Sequence, residues 1–235
     1  MRRLLLALLC VLLPASVAQA QQPGIVVFEF ADGHESHYTI ARPPFRARGW
    51  TGVAAINPSN VGQPGRLTED QLRRLYNVDG WDVMSHGWTH EDPTLMTPEE
   101  LDEHLRLSHD WLLDHEFTRS ARHYGPPLGC DARVREAATE YYDLIRHFGE
   151  CKRLPEGYDY RQTGVHDAIP WHRIRRRIDA VTDSDQALLL TFHQLVEGDA
   201  GGGQTSRARF GQVIRYVERR GLRVATFSDL LVTAE

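Results

Sequence analysis

Residues 25–33 read IVVFEFADG, and the strand and turn that they encode are central to every later expectation. Five of the first six residues are β-branched or aromatic, which predicts a buried strand over Ile25–Phe30. Asp32 follows almost directly, and Gly33 lets the chain turn away tightly. An aspartate placed here would lie at the carboxyl end of a strand, where α/β proteins bind their ligands.

Short apolar segments alternate with amphipathic helical segments along the chain. Further strands are predicted over residues 52–56, 81–85, 187–192 and 222–226. Helices are predicted to begin at Thr68 and Thr97, because Gln71 and Glu100 each complete a capping box three residues later. This alternation indicates parallel strands joined by helical crossovers. We therefore expect an α/β fold, a barrel of about seven strands, with a doubly wound sheet as the alternative.

Three of these strands are followed by residues that can bind a metal or transfer a proton. Asp32 follows the first, His86 and His90 follow the strand over 81–85, and His193 follows the strand over 187–192. Two histidines four apart on one helical turn can place both imidazoles on one ion. Each feature alone is weak evidence, but the carboxyl ends of barrel strands meet at one mouth. Two imidazoles and one carboxylate leave coordination positions open, as in catalytic metal sites.

The order of these residues resembles the polysaccharide deacetylases, the NodB-homology domain of carbohydrate esterase family four. The resemblance covers about residues 24–232. The family's first motif, Thr-Phe-Asp-Asp-Gly, corresponds to EFADG at residues 29–33, and its second, His-Ser/Thr-x-x-His, corresponds to HGWTH at residues 86–90. Its third, Arg-x-Pro-Tyr/Phe-Gly, is similar to GPPLG at residues 125–129, and its late Leu-His motif matches Phe192-His193.

The resemblance implies a fold, a reaction and a metal. The fold would be a distorted (β/α) barrel, and the reaction would remove N-acetyl groups from an amino-sugar polysaccharide. Asp32, His86 and His90 would bind one divalent metal. Zinc is the first choice, and cobalt, nickel and iron suit the same ligands.

The resemblance also implies roles around that metal. His193 would be the general acid, and the backbone N–H of Leu128 would help to stabilise the oxyanion. Residues 158–171, which are poor in apolar periodicity, predict a loop over the site in which Asp167 could orient His193. The predicted sugar contacts are Trp88, Tyr124 and Pro127.

The chain departs from the family where water would be activated. The family's first aspartate is the general base, and Ala31 stands in its position; the arginine that orients this base is Gly125 here. Three outcomes stay open: a slow deacetylase, a deacetylase whose base has moved, or a non-catalytic barrel that binds metal and carbohydrate. The candidates for a moved base are Glu29, His34 and Glu35. Non-haem iron oxygenases also use two histidines and a carboxylate, but usually on a β jelly roll.

Residues 1–20 have the features of a secretory signal peptide. Arg2 and Arg3 precede an apolar run over residues 4–13, and Ala18-Gln19-Ala20 is a small-x-small cleavage site. We expect cleavage after Ala20 and a single domain over residues 21–235. We also expect no stable membrane insertion after cleavage, and a location outside the cell, in the periplasm or in the cell envelope.

Composition narrows the class of partner. The chain has 235 residues, 41% of them hydrophobic, which is typical of a globular protein. Its formal net charge is −5, and no basic tract rises above scatter, so a nucleic-acid partner is disfavoured and a polysaccharide or oligosaccharide is expected. Cys130 and Cys151 could pair in an oxidising compartment or stay as two buried thiols.

Overall fold

The computed structural model describes residues 24–147, 151–154, 160–182, 184 and 186–232. The predicted signal peptide, residues 1–20, lies outside these ranges. Within them, no helix is both long enough and apolar enough to cross a membrane.

Strands and helices alternate along the described residues. The strands are β1 (Ile25–Phe30), β2 (Val53–Ile56), β3 (Asp82–Ser85), β4 (His123–Tyr124), β5 (Leu144–Ile145), β6 (Tyr160–Gly164), β7 (Ala187–Phe192), β8 (Leu195–Val196), β9 (Thr205–Ser206) and β10 (Arg223–Val224). The helices are α1 (Arg42–Arg46), α2 (Glu69–Asn77), α3 (Pro98–Asp114), α4 (Ala132–Ala138), α5 (Trp171–Asp179), α6 (Arg207–Arg219) and α7 (Phe227–Val232).

One parallel sheet carries the fold. Its strand order is β5-β4-β3-β2-β1-β7-β6, and β10 pairs with the beginning of β1. The sheet curls into a partial barrel surrounded by helices, which confirms the predicted distorted (β/α) barrel of about seven strands. Because the strands are parallel, their carboxyl ends share one rim, which we call the mouth.

Both faces of β1 are buried. Val26, Phe28 and Phe30 pack on the outer face against apolar side chains of α2, α5 and α6. Val27 packs on the inner face with residues that include Leu189 and Phe227. Burial on both faces explains why the strand reads as a nearly continuous apolar run rather than as an alternating one.

Both predicted helix starts are confirmed. The Thr68 hydroxyl accepts a hydrogen bond from the Gln71 N–H at 3.2 Å, and the Gln71 side chain accepts one from the Thr68 N–H at 3.0 Å. At the start of α3, the Thr97 hydroxyl accepts a hydrogen bond from the Glu100 N–H at 3.3 Å, and the Glu100 carboxylate accepts one from the Thr97 N–H at 2.8 Å. These bonds satisfy N–H groups that the helix itself leaves unpaired.

Two segments differ from the expectation. Residues 37–46, for which the sequence predicts no helix, form a π-helical turn (His37–Ala41) followed by α1. For residues 158–171 the sequence predicts a loop, but Tyr160–Gly164 form β6, which pairs with β7 at the end of the sheet. Only Tyr160 of this strand is buried, so the apolar pattern of the strand is too weak to reveal it in the sequence.

The two cysteines are joined. Cys130 and Cys151 form a disulfide, with their Cα atoms 6.1 Å apart. The bond ties the loop after β4 to the segment after β5. It resolves the question that the sequence leaves open in favour of pairing.

Thr97→Ala removes the hydroxyl that caps α3. We expect the free energy of unfolding to fall by about 1 kcal/mol, because an N–H of the first turn loses its partner. Urea titration followed by circular dichroism measures the change. Thr118→Ala is the control, since Thr118 is exposed and makes no side-chain cap; an equal loss in both variants would contradict the capping role.

Candidate active site

Asp32 is held in an unusual backbone conformation at the mouth. Its φ is +72°, a left-handed value that is uncommon for a residue with a side chain. Gly33 follows at φ +63°, and Arg66 Nη1 donates a hydrogen bond to the Asp32 carbonyl oxygen at 2.7 Å. The fold therefore fixes the direction of the carboxylate, and conformations of this cost cluster at functional sites.

The other two candidate ligands, His86 and His90, lie on an irregular loop directly after β3. The prediction that His86 and His90 share a helical turn is wrong, because Gly87 between them has φ +81°. Asn57, which directly follows β2, holds this loop in place of the hydrogen bonds that a helix would make. Its Nδ2 donates to the carbonyl oxygens of His86 at 2.5 Å and of Thr89 at 3.1 Å. The loop is thus held from the neighbouring strand.

The structure brings the three predicted ligands together. Asp32 Oδ1 lies 3.3 Å from His86 Nε2 and 3.2 Å from His90 Nε2. Each residue offers one possible ligand atom, and these three atoms all lie within 4.8 Å of one another. The carboxyl ends of β1 and β3 therefore converge as the sequence predicts.

The pKa shifts of the three candidate ligands bear on whether they can bind a cation. Burial raises the pKa of Asp32, but contacts with the imidazoles around it outweigh burial and hold that pKa well below its usual range. Burial lowers the pKa of His86, and its Nδ1–H donates to the Gly125 carbonyl oxygen, which leaves the Nε2 lone pair facing Asp32. Asp32 raises the pKa of His90, so a proton competes with any cation there.

The donor set fits one divalent metal. Asp32 Oδ1 is buried and accepts no hydrogen bond from any described residue, although it faces two imidazole nitrogens. A carboxylate oxygen and two imidazole nitrogens are ligands that zinc and its neighbours in the periodic table accept. His34 adjoins the group, with Nε2 3.4 Å from Asp32 Oδ2.

His193 stands at the same mouth, directly after β7. The residue reaches the surface, but the protein around its ring still removes enough water to lower its pKa, an effect that the charge of Asp32 opposes. His37 fixes the backbone there, since His37 Nε2 donates to the His193 carbonyl oxygen at 3.0 Å. Burial lowers the pKa of His37 to about 3, so the ring is a neutral donor. Sequence reasoning missed His37, because it lies in the unpredicted helical segment after β1.

Asp167 does not orient His193. The Asp167 carboxylate accepts a hydrogen bond from the Ser206 N–H at 2.9 Å, just before α6. The prediction of an orienting role is corrected accordingly, since this carboxylate stabilises the start of a helix.

The predicted sugar contacts separate into buried and accessible residues. Tyr124 is fully buried and stacks on Tyr142 with ring centroids 4.9 Å apart, and Pro127 is also buried. The prediction that Tyr124 and Pro127 contact a sugar is therefore corrected, since both belong to the packed interior. Trp88 is half-buried and lines a cavity. Leu128 is 67% exposed at φ +54°, and its N–H makes no hydrogen bond to a described residue, as an oxyanion donor requires.

A buried ion pair lies beneath Ala31 and Gly125, the two positions at which the sequence predicts a departure from the family motifs. Glu29 is fully buried, and Arg146 Nη2 donates to its Oε1 at 2.5 Å. Burial raises the pKa of Glu29, while Arg146 opposes that rise. A Cβ at Gly125 would meet Arg146 Nη2 at 2.5 Å, so the guanidinium occupies the space that a side chain at position 125 would need. Ala31 is also buried. It follows Glu29 by two residues, which places both on the inner face of the sheet.

Comparison with solved structures supports the same fold. The chitin deacetylase of the fungus Colletotrichum lindemuthianum is 15% identical, with 88% of this chain and 87% of that chain covered and a TM-score of 0.61. A family 4 acetyl xylan esterase from Clostridium thermocellum in complex with a cobalt ion is 16% identical, with 89% and 91% covered and a TM-score of 0.59. A mutant of a family 4 pseudoenzyme with restored enzymatic activity is 13% identical, with 90% and 68% covered and a TM-score of 0.60.

Sequence comparison supplies the family. A search of curated proteins finds no match. The model of the family described as polysaccharide deacetylase matches residues 18–143, which is more than half of the 235 residues. The chain belongs to the polysaccharide deacetylase family.

Proposed function

We propose that this protein is a metal-dependent deacetylase that removes N-acetyl groups from an amino-sugar polysaccharide. The observation that carries the proposal is the convergence of Asp32, His86 and His90 at the mouth of a polysaccharide deacetylase fold. His193 stands at the same mouth, and a purely structural metal site would have no need of it.

Asp32, His86 and His90 would hold one divalent ion, with zinc as the first choice. When bound, such an ion lowers the pKa of a water molecule and polarises the substrate carbonyl. The cobalt complex of the Clostridium thermocellum esterase supports a transition metal in a fold of this kind. Asp32 supplies charge, and the neutral His86 supplies a nitrogen whose tautomer is set by the Gly125 carbonyl.

The remaining roles belong to residues around the opening. His193 would donate a proton to the leaving amine nitrogen, with its backbone held by His37. The Leu128 N–H would donate a hydrogen bond to the carbonyl oxygen as negative charge develops there. Trp88 would contact the sugar ring, since it lines the cavity that opens beside His90.

Ala31 cannot accept the proton that the attacking water releases, so the base is either absent or moved. Among the candidates, Glu29 is buried in its ion pair with Arg146, and Glu35 is exposed. His34 is better placed, because its Nε2 lies 3.4 Å from the Asp32 carboxylate at the centre of the site. We therefore take His34 as the leading candidate for a moved base.

A second function is supported by Ala31 itself. A barrel that has lost its base could retain the metal and the carbohydrate-binding surface without catalysis, and a pseudoenzyme occurs among the similar structures. The iron oxygenase alternative is not supported, because those enzymes usually use a β jelly roll and this sheet is parallel and surrounded by helices.

We also propose that residues 1–20 are a cleaved signal peptide and that residues 21–235 act outside the cytoplasm. The disulfide between Cys130 and Cys151 supports an oxidising compartment.

His86→Ala should abolish stoichiometric metal binding, because two ligands hold a divalent ion far more weakly than three. We expect metal affinity to fall by more than the roughly 10–100-fold that is lost when a residue hydrogen-bonded to a metal ligand is removed. Metal content after dialysis against zinc, measured by atomic emission, tests this. His172→Ala is the control, since His172 is exposed on α5. Equal zinc content in both variants would reject the assigned ligands.

Ala31→Asp should raise kcat/KM for acetate release from N-acetylglucosamine oligomers by about 10²–10⁴-fold, the usual contribution of a general base. Ala31→Asn is the matched control, because it adds the same volume without a base. If the two variants have equal activity, position 31 is not the position of a lost base.

The wild type then separates the two functions. Turnover by the wild type that His193→Ala and His34→Gln both stop, with zinc content unchanged, supports an enzyme with a moved base. A wild type without turnover beside an active Ala31→Asp variant supports the non-catalytic alternative.

A further inference from the structure

A large cavity opens beside the candidate metal site. It has a volume of about 730 Å³ and lies between α3 and the loop that carries His86 and His90. Thr89 and Glu91, the two neighbours of His90 in the sequence, line the cavity, and Leu128 lines it as well. The three proposed metal ligands are not among its lining residues, but the residues on either side of His90 are, so the cavity adjoins the candidate metal site.

Four carboxylates line this cavity, and no lysine or arginine does. They are Glu91, Asp92, Glu100 and Glu103. Within the described part of the chain, none of the four forms an ion pair. Asp92 and Glu100 accept backbone hydrogen bonds at helix starts, while Glu91 accepts one from the Thr89 hydroxyl at 2.6 Å. The four carboxylates make the cavity wall negatively charged. Arg133 lies close by, but its guanidinium donates to the backbone carbonyl oxygens of Pro93, Thr94 and Met96 rather than to a carboxylate.

The rest of the wall is apolar, and it includes an unsatisfied polar group. Leu95 is 83% exposed and Leu128 is 67% exposed, and both line the cavity with Trp88. Exposed apolar side chains gathered at a cavity are typical of a binding surface. His104 is also part of the wall; it is 5% exposed, and its Nε2 makes no hydrogen bond to a described residue. A buried polar atom without a partner is unusual unless a ligand or water completes it.

We propose that this cavity binds a sugar unit that carries a free, protonated amine. The inference rests on the proposed function for the identity of the polymer, and it narrows the substrate to a partly deacetylated amino-sugar chain. One acetylated unit would lie at the metal, and its deacetylated neighbour would lie in the cavity.

The chemistry of the two kinds of sugar unit explains the preference. An N-acetyl unit is neutral, whereas a free amino sugar is a cation that the four carboxylates attract. The apolar face of the ring packs on Trp88 and the leucines, as in other sites that combine an apolar wall with few polar groups. A negatively charged polymer would be repelled from the same cavity.

The test is calorimetric titration of metal-free protein with a glucosamine tetramer and with an N-acetylglucosamine tetramer at mildly acidic pH. We expect the amine-bearing tetramer to bind more tightly, and added salt to weaken only that binding. In Glu91→Gln/Glu103→Gln we expect a loss of about threefold to tenfold for the glucosamine tetramer alone, given the usual strength of accessible charge pairs.

Glu99→Gln/Glu136→Gln is the matched control, because it removes the same charge from exposed positions outside the cavity. Equal affinity of the wild type for both tetramers, or an equal effect of the two double variants, would overturn the inference. Since no turnover is needed, charge-selective binding without acetate release would refute only the deacetylase. Acetate release without charge-selective binding would refute only the cavity assignment.

Discussion

Parallel pairing of β1 with β2 and β7 is the constraint on which the site depends. β1 and β7 are in register up to Phe30 and Phe192, and the Ala31 N–H continues the pairing by donating to the Phe192 carbonyl oxygen at 2.8 Å. β2 carries the register on to β3, where the His86 N–H donates to the Ile56 carbonyl oxygen at 2.7 Å. The residues that follow these strands must therefore emerge side by side, which no local sequence feature could arrange alone.

Convergence at one rim has an energetic cost that the surrounding contacts offset. A left-handed Asp32 costs on the order of 1–3 kcal/mol, and a buried carboxylate is unfavourable without partners. The hydrogen bond from Arg66 to its carbonyl oxygen offsets part of that cost, while Asp32 Oδ1 accepts no hydrogen bond from a described residue and is left for a cation. The carboxylate is thus positioned before any cation arrives, so little reorganisation would accompany binding.

The sequence predicts what is local and repetitive. The alternation of apolar and amphipathic segments predicted the strands that carry Asp32, His86 and His193, and capping boxes predicted two helix starts. What it missed depends on contacts between distant residues: His37 supports His193 across 156 positions, and Arg146 meets Glu29 across 117. Tyr124 was misread for the same reason, since only the tertiary packing shows that its ring stacks on Tyr142 inside the protein.

Glu29, Gly125 and Arg146 form one coupled unit. Any larger residue at position 125 would meet the guanidinium, and removal of Arg146 would leave Glu29 buried without its partner, at a cost of about 3–5 kcal/mol. An arginine at position 125 would also bring a second cation against Arg146. The glycine at position 125 is therefore tied to the ion pair below it, because a larger side chain there would compete with Arg146 for the same space.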